Sequence, residues 1–179
     1  DQGWCGSCYA FGTIEAIEAY TAIKYGSLFT LSEQQLVSCV PNTTGIQQGD
    51  PTNFTNGGCN GYMPPMALDW MSSTVLEAVS GWQVPYTSYF VDPDDDSNHR
   101  RVQTCGAISQ PDGDTVGVTG YEWLPANNES AFEDTLINKG PIIILMYTPP
   151  SFDNYEYGIY ADAMCVGYRN MQASHVTLL

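Results

Sequence analysis

The spacing of apolar residues changes near residue 108, and this change constrains the fold more than any other feature. Before that point several segments carry helix signals, and the longest has apolar side chains at helical spacing. Beyond it Gly, Pro and Asp cluster from 106 to 120, interleaved with Val116 and Val118, and the later apolar runs have the length of strands. The sequence therefore predicts an α+β chain, helical over residues 1–108 and β-rich over 109–179.

Four helices are predicted from spacing and capping signals. The first begins at Ser7 or Cys8 and stops at Gly26, and the second begins at Ser32, where Ser32 and Gln35 form a capping box. The third covers Pro64 to Met71. The fourth covers Ser130 to Asn138, with Ser130 and Glu133 as a second capping box.

Three strands are predicted in the second part. They cover Ile142 to Tyr147, Gly158 to Tyr160, and His175 to Leu179. The first of these strands is expected to be buried. Residues 41–58 are rich in Gly, Asn, Thr and Gln without periodicity, which indicates a long surface loop.

Charge and hydropathy exclude some partners. The chain of 179 residues has 20 acidic and 5 basic side chains, a net charge of −15. Such a surface repels a phosphate backbone, so nucleic acid is not expected as a partner. No apolar run approaches the roughly 18 residues of a membrane span. The charge fits a soluble monomer, and in an acidic compartment carboxylate protonation would relieve its self-repulsion.

Cysteines and glycosylation sequons indicate the secretory pathway. Six cysteines stand at positions 5, 8, 39, 59, 105 and 165, and N-x-Ser/Thr sequons begin at Asn42, Asn53 and Asn128. All three sequons lie in polar, turn-rich stretches, where glycosylation is feasible. Together they indicate an oxidising environment, although spacing alone does not select the disulfide pairs.

Chemistry is concentrated in the segment from Gln2 to Phe11. If Cys8 opens a helix, the partial positive charge there stabilises a thiolate, the attacking form of cysteine. The free backbone N–H groups of that helix end can bind a developing oxyanion, and Gln2 is placed to supply a second donor. His175, at the start of an apolar strand, is the candidate base, whereas His99 lies in a charged loop and is predicted to be solvated.

Other interpretations of Cys5 and Cys8 fit less well. A thioredoxin-like redox motif needs a preceding strand, and only four residues precede Cys5. A zinc site would need a second close pair, and the remaining cysteines are far apart, so no metal and no cofactor are predicted. A protein stabilised only by disulfides would explain the cysteines but not a Cys-Gly-Ser-Cys segment that opens a helix.

The order of several motifs resembles the papain-like, cathepsin-type cysteine peptidases. The matching segments are Cys5-Gly6-Ser7-Cys8-Tyr9, Ser32-Glu33-Gln34-Gln35-Leu36 with Cys39, Gly58-Cys59-Asn60-Gly61, Val84-Pro85-Tyr86, Gly140-Pro141-Ile142, and Ser174-His175-Val176. They are spread over the whole chain, which makes the set specific.

The resemblance implies a two-lobe fold, a cleft between the lobes, and a thioester mechanism. Cys8 would be the nucleophile, His175 the base, and Gln2 with the Cys8 N–H the oxyanion hole. The family's disulfide pattern implies Cys5 with Cys59 and Cys39 with Cys105, leaving Cys165 over.

The same resemblance implies a peptide groove. Gly61 would bind the substrate backbone, and Met63, Pro64, Leu145 and Val176 would form an apolar pocket for the side chain two residues before the cut. The sequence has no His-His loop of the kind that marks the family's carboxydipeptidase branch, so endopeptidase action on peptides and proteins is expected. Cystatin-like inhibitors and the chain's own propeptide are expected partners, and a lysosomal, vacuolar or extracellular location is expected.

Two departures from the family pattern stand out. The family's orienting Asn and its Asn-Ser-Trp-Gly segment are absent, which implies that the second lobe is incomplete at its C-terminal end. Tyr62 stands where many members carry a second Gly, and its bulk could narrow the groove. The alternative function is therefore a catalytically silent binding protein with the same fold, although Cys8 and His175 are both retained.

Overall fold

One long helix, α1, organises the fold. The structure, a computed structural model, describes residues 1–41, 43–44, 55–74, 77–88, 105, 113, 115–162 and 173–179. Helix α1 covers Cys8–Tyr25 and buries the side chains of Tyr9, Ile14 and Ile17. It ends where Gly26 adopts a left-handed conformation (φ 75°) and its N–H donates to the Ala22 carbonyl at 2.8 Å, as predicted.

Helix α2 covers Glu33–Cys39 and begins at the predicted cap. The Ser32 hydroxyl accepts the Gln35 N–H at 3.0 Å. The other half of the predicted capping box is wrong, because the Gln35 side chain bonds to the Val79 N–H and the Glu77 carbonyl instead. A buried amide can satisfy two backbone groups of a neighbouring segment, which would otherwise be unpaired.

Gln34 makes a second set of bonds from α2. Its side chain is 0% exposed, and its Oε1 accepts the N–H groups of Thr87 and Ser88 at 2.8 and 3.1 Å. The Ser88 hydroxyl also donates to the same oxygen, at 3.1 Å. Two consecutive glutamines therefore fix residues 77–88 to α2, a role that their polar character alone does not predict.

Two further helices follow, and one begins at a different cap from the predicted one. Helix α3 covers Pro64–Thr74, as expected from its proline start. Helix α4 covers Glu129–Asn138, and its N-cap is Asn128, whose side-chain oxygen accepts the Ala131 N–H at 3.1 Å. The predicted capping box at Ser130 is therefore wrong, because Asn is as good a cap as Ser and lies two residues earlier.

Within the described residues, the strands form two small antiparallel sheets. Strands β1 (Thr43–Thr44) and β2 (Thr55–Asn56) pair within the stretch predicted as a loop. Strands β3 (Ile143–Met146) and β4 (His175–Leu178) confirm two of the predicted strands, with Met146 opposite His175. Between these two strands a 3₁₀ helix covers Pro150–Asn154.

Two details of the strand prediction are wrong. Strand β3 is not buried along its length, since Leu145 is 37% exposed and its neighbours are half-buried. Residues Gly158 to Tyr160 do not form a strand, and Ile159 is 97% exposed. The Tyr160 ring packs edge-on against Phe152 instead, with the ring centroids 4.9 Å apart.

The core lies around α1, which packs against α2 and α3 and also against β4. Gly12 permits the close approach to β4, because a Cβ there would lie 3.0 Å from Cγ1 of Val176. The helical and stranded parts are thereby joined, which confirms the predicted α+β class. No helix in the described ranges is long and apolar enough to cross a membrane.

Two half-buried carboxyl groups predict a dependence of stability on pH. Burial raises the pKa of Glu18, which accepts the Leu31 N–H at 2.7 Å, and burial also raises the pKa of Glu33. A raised native pKa means that the folded state binds more protons than the unfolded state above about 4.5, the ordinary carboxyl value. The free energy of unfolding is therefore expected to rise as pH falls from about 7 to about 5.

Urea unfolding at the two pH values measures this effect. The Glu18→Gln variant cannot titrate at that position and should show a weaker pH dependence than the unmodified protein. A free energy of unfolding that falls on acidification over this range would contradict the prediction.

Candidate active site

The N-terminus of α1 carries the free thiol of Cys8. Cys8 is the first residue of the helix and is half-buried, and Ser7 is the N-cap. The helix begins with the N–H groups of Ala10 and Phe11, which both donate to the Ser7 carbonyl. The thiol thus lies at the end of the helix dipole that favours a negative charge.

His175 approaches from the other part of the chain. It is the first residue of β4, is half-buried, and pairs with Met146 of β3. The Ser174 N–H donates to the Met146 carbonyl at 3.0 Å, which extends the ladder by one bond beyond His175. The imidazole is therefore carried by paired backbone rather than by a loose loop.

Cys8, His175 and Gln2 line one cleft of about 200 Å³. The three predicted catalytic residues, which come from the first eight residues and from strand β4, are thus brought together. Phe11, Gly12 and Glu15 on α1 also line it, and so do Asp1, Val176 and Thr177. A thiol, an imidazole and an amide in one cleft can support nucleophilic attack on a carbonyl, proton transfer and oxyanion binding.

Gln2 is held by a tight local turn. Its Nε2 donates to the Cys5 carbonyl at 2.9 Å, and its own carbonyl accepts the Cys5 N–H at 3.4 Å. An amide nitrogen carries two hydrogens, so one donor remains beyond the bond to Cys5.

The segment around Cys8 is clamped to residues 57–62. The Cys5–Cys59 disulfide joins them, the Gly6 N–H donates to the Cys59 carbonyl at 2.9 Å, and the Tyr9 hydroxyl donates to the Gly58 carbonyl at 3.1 Å. Burial raises the pKa of the Tyr9 phenol well above its usual range, so the hydroxyl remains a donor.

Tyr62 packs against this clamp. Its ring centroid lies 5.5 Å from that of Tyr9, and Tyr62 is not among the residues that line the cleft with Cys8. The side chain of Tyr62 thus adds an aromatic contact to the clamp.

Replacing Gly6 by alanine is expected to disturb this clamp. The new Cβ would lie 2.6 Å from the Cys59 carbonyl oxygen and 3.3 Å from the Gly61 nitrogen, and both are backbone atoms that cannot rotate away. We expect a loss of about 1–3 kcal/mol in the free energy of unfolding, measured by urea denaturation.

Gly117→Ala is the matched control, since its Cβ would make only ordinary contacts at 3.8 Å or more. Equal stabilities of the Gly6→Ala and Gly117→Ala variants would contradict the prediction.

The five predicted groove residues are not lined up along one cavity. Val176 is buried and lines the cleft with Cys8, whereas Pro64 and Leu145 line a second, much larger cavity of about 1880 Å³. Gly61 and Met63 are half-buried and line neither. The larger cavity runs along the second half of α1 and contains neither Cys8 nor His175.

Both predicted disulfides are present. Cys5 is bonded to Cys59 and Cys39 to Cys105. Of the three sequons, Asn128 is exposed at the cap of α4, while Asn42, Asn53 and also Cys165 lie outside the described residues. Within the described ranges no three His, Cys, Asp or Glu side chains are grouped as metal ligands would be.

Comparisons with known proteins agree with this geometry. The chain is 31% identical over 179 residues to a digestive cysteine proteinase 1 of Homarus americanus, covering 99% of this chain and 47% of the relative. It is 30% identical to a cathepsin L-like proteinase of Phaedon cochleariae, covering 93% of this chain and 43% of the relative. The chain thus spans less than half the length of these two relatives.

A solved structure shares the fold. A Carica candamarcensis cysteine protease, crystallised in complex with E-64, superposes with a TM-score of 0.73 at 26% identity, covering 99% of this chain and 68% of that one. The family model described as papain family cysteine protease matches residues 1–179. The chain therefore belongs to the papain family of cysteine proteases.

Proposed function

We propose that this chain hydrolyses peptide bonds, with Cys8 as the nucleophile. The observation that carries the proposal is the shared cleft, which is lined by Cys8 at the start of α1, by His175 of β4 and by Gln2. The names of its relatives, which are proteinases, support the same activity.

The proposed reaction has two halves. His175 accepts the thiol proton as Sγ of Cys8 attacks the substrate carbonyl carbon, and the negative oxygen that develops is bound by Gln2 and the Cys8 N–H. Collapse of this intermediate breaks the C–N bond. The amine leaves with the proton from His175, and a thioester remains on Cys8. Water then attacks the thioester with His175 as the base, releasing the acid and restoring the thiol.

Hydrolysis of a fluorogenic Phe-Arg peptide tests the proposal. The assay is run at mildly acidic pH with a reductant, beside labelling of the protein by an irreversible epoxide thiol reagent. Turnover together with label on Cys8 is the expected result. A folded protein that neither cleaves nor takes up label would overturn it and favour a binding role for the same fold.

We propose endopeptidase action with a preference for a large apolar side chain two residues before the cut. Val176, which is apolar and lines the cleft with Cys8, supports this preference. Met63, Pro64 and Leu145 are also apolar but do not line that cleft, so their part in the pocket rests on the resemblance alone. Substrates with Leu-Arg or Phe-Arg should be cleaved faster than Arg-Arg, and the reverse order would contradict the preference. Gly61, at φ 84°, would offer its backbone to the substrate.

We further propose two lobes, residues 1–108 and 109–179, with the cleft between them. The origin of Cys8 in α1 and of His175 in β4 supports this division.

Two disulfides and an exposed sequon at Asn128 support a secretory route to a lysosome, a vacuole or the exterior. Peptides, cystatin-like inhibitors and a propeptide are the proposed partners; a procathepsin L of Tenebrio molitor shares the fold.

A further inference from the structure

We propose that Tyr86 is a positioning residue that holds Gln2 against the N-terminus of α1 and so keeps the oxyanion site assembled. This role rests on the proposed function, since it acts on the group that would bind the oxyanion. It assigns a specific task to a side chain that lies far from Cys8 along the chain.

The phenol of Tyr86 bridges two backbone segments. Its hydroxyl donates to the Gln2 carbonyl at 2.9 Å and lies 2.7 Å from Oγ of Ser7. A phenol has one hydrogen, and the Gln2 carbonyl can only accept. The Ser7 hydroxyl must therefore be the donor in its bond with Tyr86.

Ser7 is committed to this bridge instead of to its helix. A serine at the N-cap ordinarily accepts a backbone N–H of the first turn, but Ser7 makes no side-chain cap bond. It is fully buried, so its hydroxyl needs a protein partner, and Tyr86 provides that partner. The Ser7 hydroxyl therefore bonds to Tyr86, and the first turn of α1 lacks the side-chain cap that a serine at this position usually provides.

The bridge connects the two arms of the proposed oxyanion site. One arm is the side chain of Gln2, and the other is the N–H of Cys8, which directly follows Ser7. The hydrogen bonds of the turn join only Gln2 and Cys5 to each other. The Tyr86 hydroxyl therefore supplies a direct hydrogen-bonded link between Gln2 and Ser7. Oxyanion donors act through fixed placement, and small displacements weaken them.

The ring of Tyr86 is itself fixed. It packs edge-on against Phe11 on α1, with the centroids 5.0 Å apart and the planes at 73°. The position of the Tyr86 hydroxyl is therefore fixed by a ring that packs on the helix that carries Cys8.

Tyr86→Phe removes the hydroxyl and keeps the ring. We expect kcat for the fluorogenic peptide to fall about tenfold, with KM changed by less than about twofold, because the lost bond matters most when the oxyanion forms. Tyr121→Phe is the matched control, since it removes an exposed phenol hydroxyl that bonds to Asp69, away from the cleft. The control should leave kcat unchanged.

A double-mutant cycle with Gln2→Ala tests whether Tyr86 acts through Gln2. If it does, Tyr86→Phe should lower kcat by less than about twofold in the Gln2→Ala background. An unchanged kcat in Tyr86→Phe, or the full tenfold loss repeated in that background, would overturn the role.

Two reagents that react with Cys8 separate this role from the proposed function. A peptidyl aldehyde adds the thiol across its C=O bond and places an oxygen in the oxyanion site, whereas iodoacetamide alkylates the thiol, releases iodide and forms no oxyanion. Tyr86→Phe should weaken aldehyde binding about tenfold and leave the alkylation rate unchanged. Equal losses with both reagents would indicate general damage to the thiol and overturn the role. An unmodified protein that neither cleaves peptide nor binds the aldehyde would overturn the proposed function, and this role with it.

Discussion

Replacing Cys8 by alanine is expected to lower the rate of peptide hydrolysis by a factor on the order of 10⁶. The alanine side chain cannot form the thioester, so the cleft would retain His175 and the donors of Gln2 and of the backbone N–H of residue 8 but would have no nucleophile. Burst and steady-state kinetics with the fluorogenic peptide measure the loss, and mass spectrometry after epoxide labelling reports the modified residue.

His175→Ala is the parallel variant for the base. It should lose comparable activity, because nucleophile and base act as one unit and their losses are not additive. Both variants should keep their fold: Cys8 and His175 are half-buried, and neither side chain supplies a hydrogen bond on which the described core depends. Hydrolysis that persists in Cys8→Ala, or label found on another residue, would contradict the assignment.

Removing the Cys5–Cys59 disulfide is expected to destabilise the protein by about 4 kcal/mol on the chain-entropy model. The bond closes a loop with a sequence separation of 54, and both sulfurs are buried. The double variant Cys5→Ala/Cys59→Ala, followed by urea unfolding under non-reducing conditions, measures the loss.

The second disulfide provides the matched control. Cys39→Ala/Cys105→Ala opens a loop with a sequence separation of 66, so its expected loss of stability is also about 4 kcal/mol. Only the first pair lies in the clamp behind Cys8, so only its removal should lower kcat of the protein that remains folded. Equal effects of the two double variants on kcat would contradict the role of the clamp in activity.

The stop of α1 and the start of α2 were predictable because the relevant signals are local. Gly26 ends the helix in a conformation that glycine adopts at little cost, and Ser32 caps the next helix with its own hydroxyl. The predicted cap of α4 was wrong, because Asn128 and Ser130 are both good caps and the sequence signal at Ser130 was followed. The path of the preceding chain decides between them, and that path is a tertiary property.

The candidate site was predictable through its motifs. Cys8, Gln2 and His175 belong to segments that resemble one family, and the cleft brings all three together. The bridge from Ser7 through Tyr86 to Gln2 was not predictable, since it joins residues separated by 79 and 84 positions. The bonds of Gln34 and Gln35 to residues 77–88 were not predictable either, because these partners lie 42 to 54 positions away in sequence.

The bonds made by Gln34 have a consequence for how the native state opens. The amides of Thr87 and Ser88 belong to no helix or strand, yet both donate to a fully buried oxygen on α2. Their hydrogens can exchange with solvent only when that contact breaks, so in deuterium oxide they should exchange as slowly as the amides of α2. The segment carrying Tyr86 would then belong to the same cooperative unit as α2, and local fraying would seldom release the tyrosine.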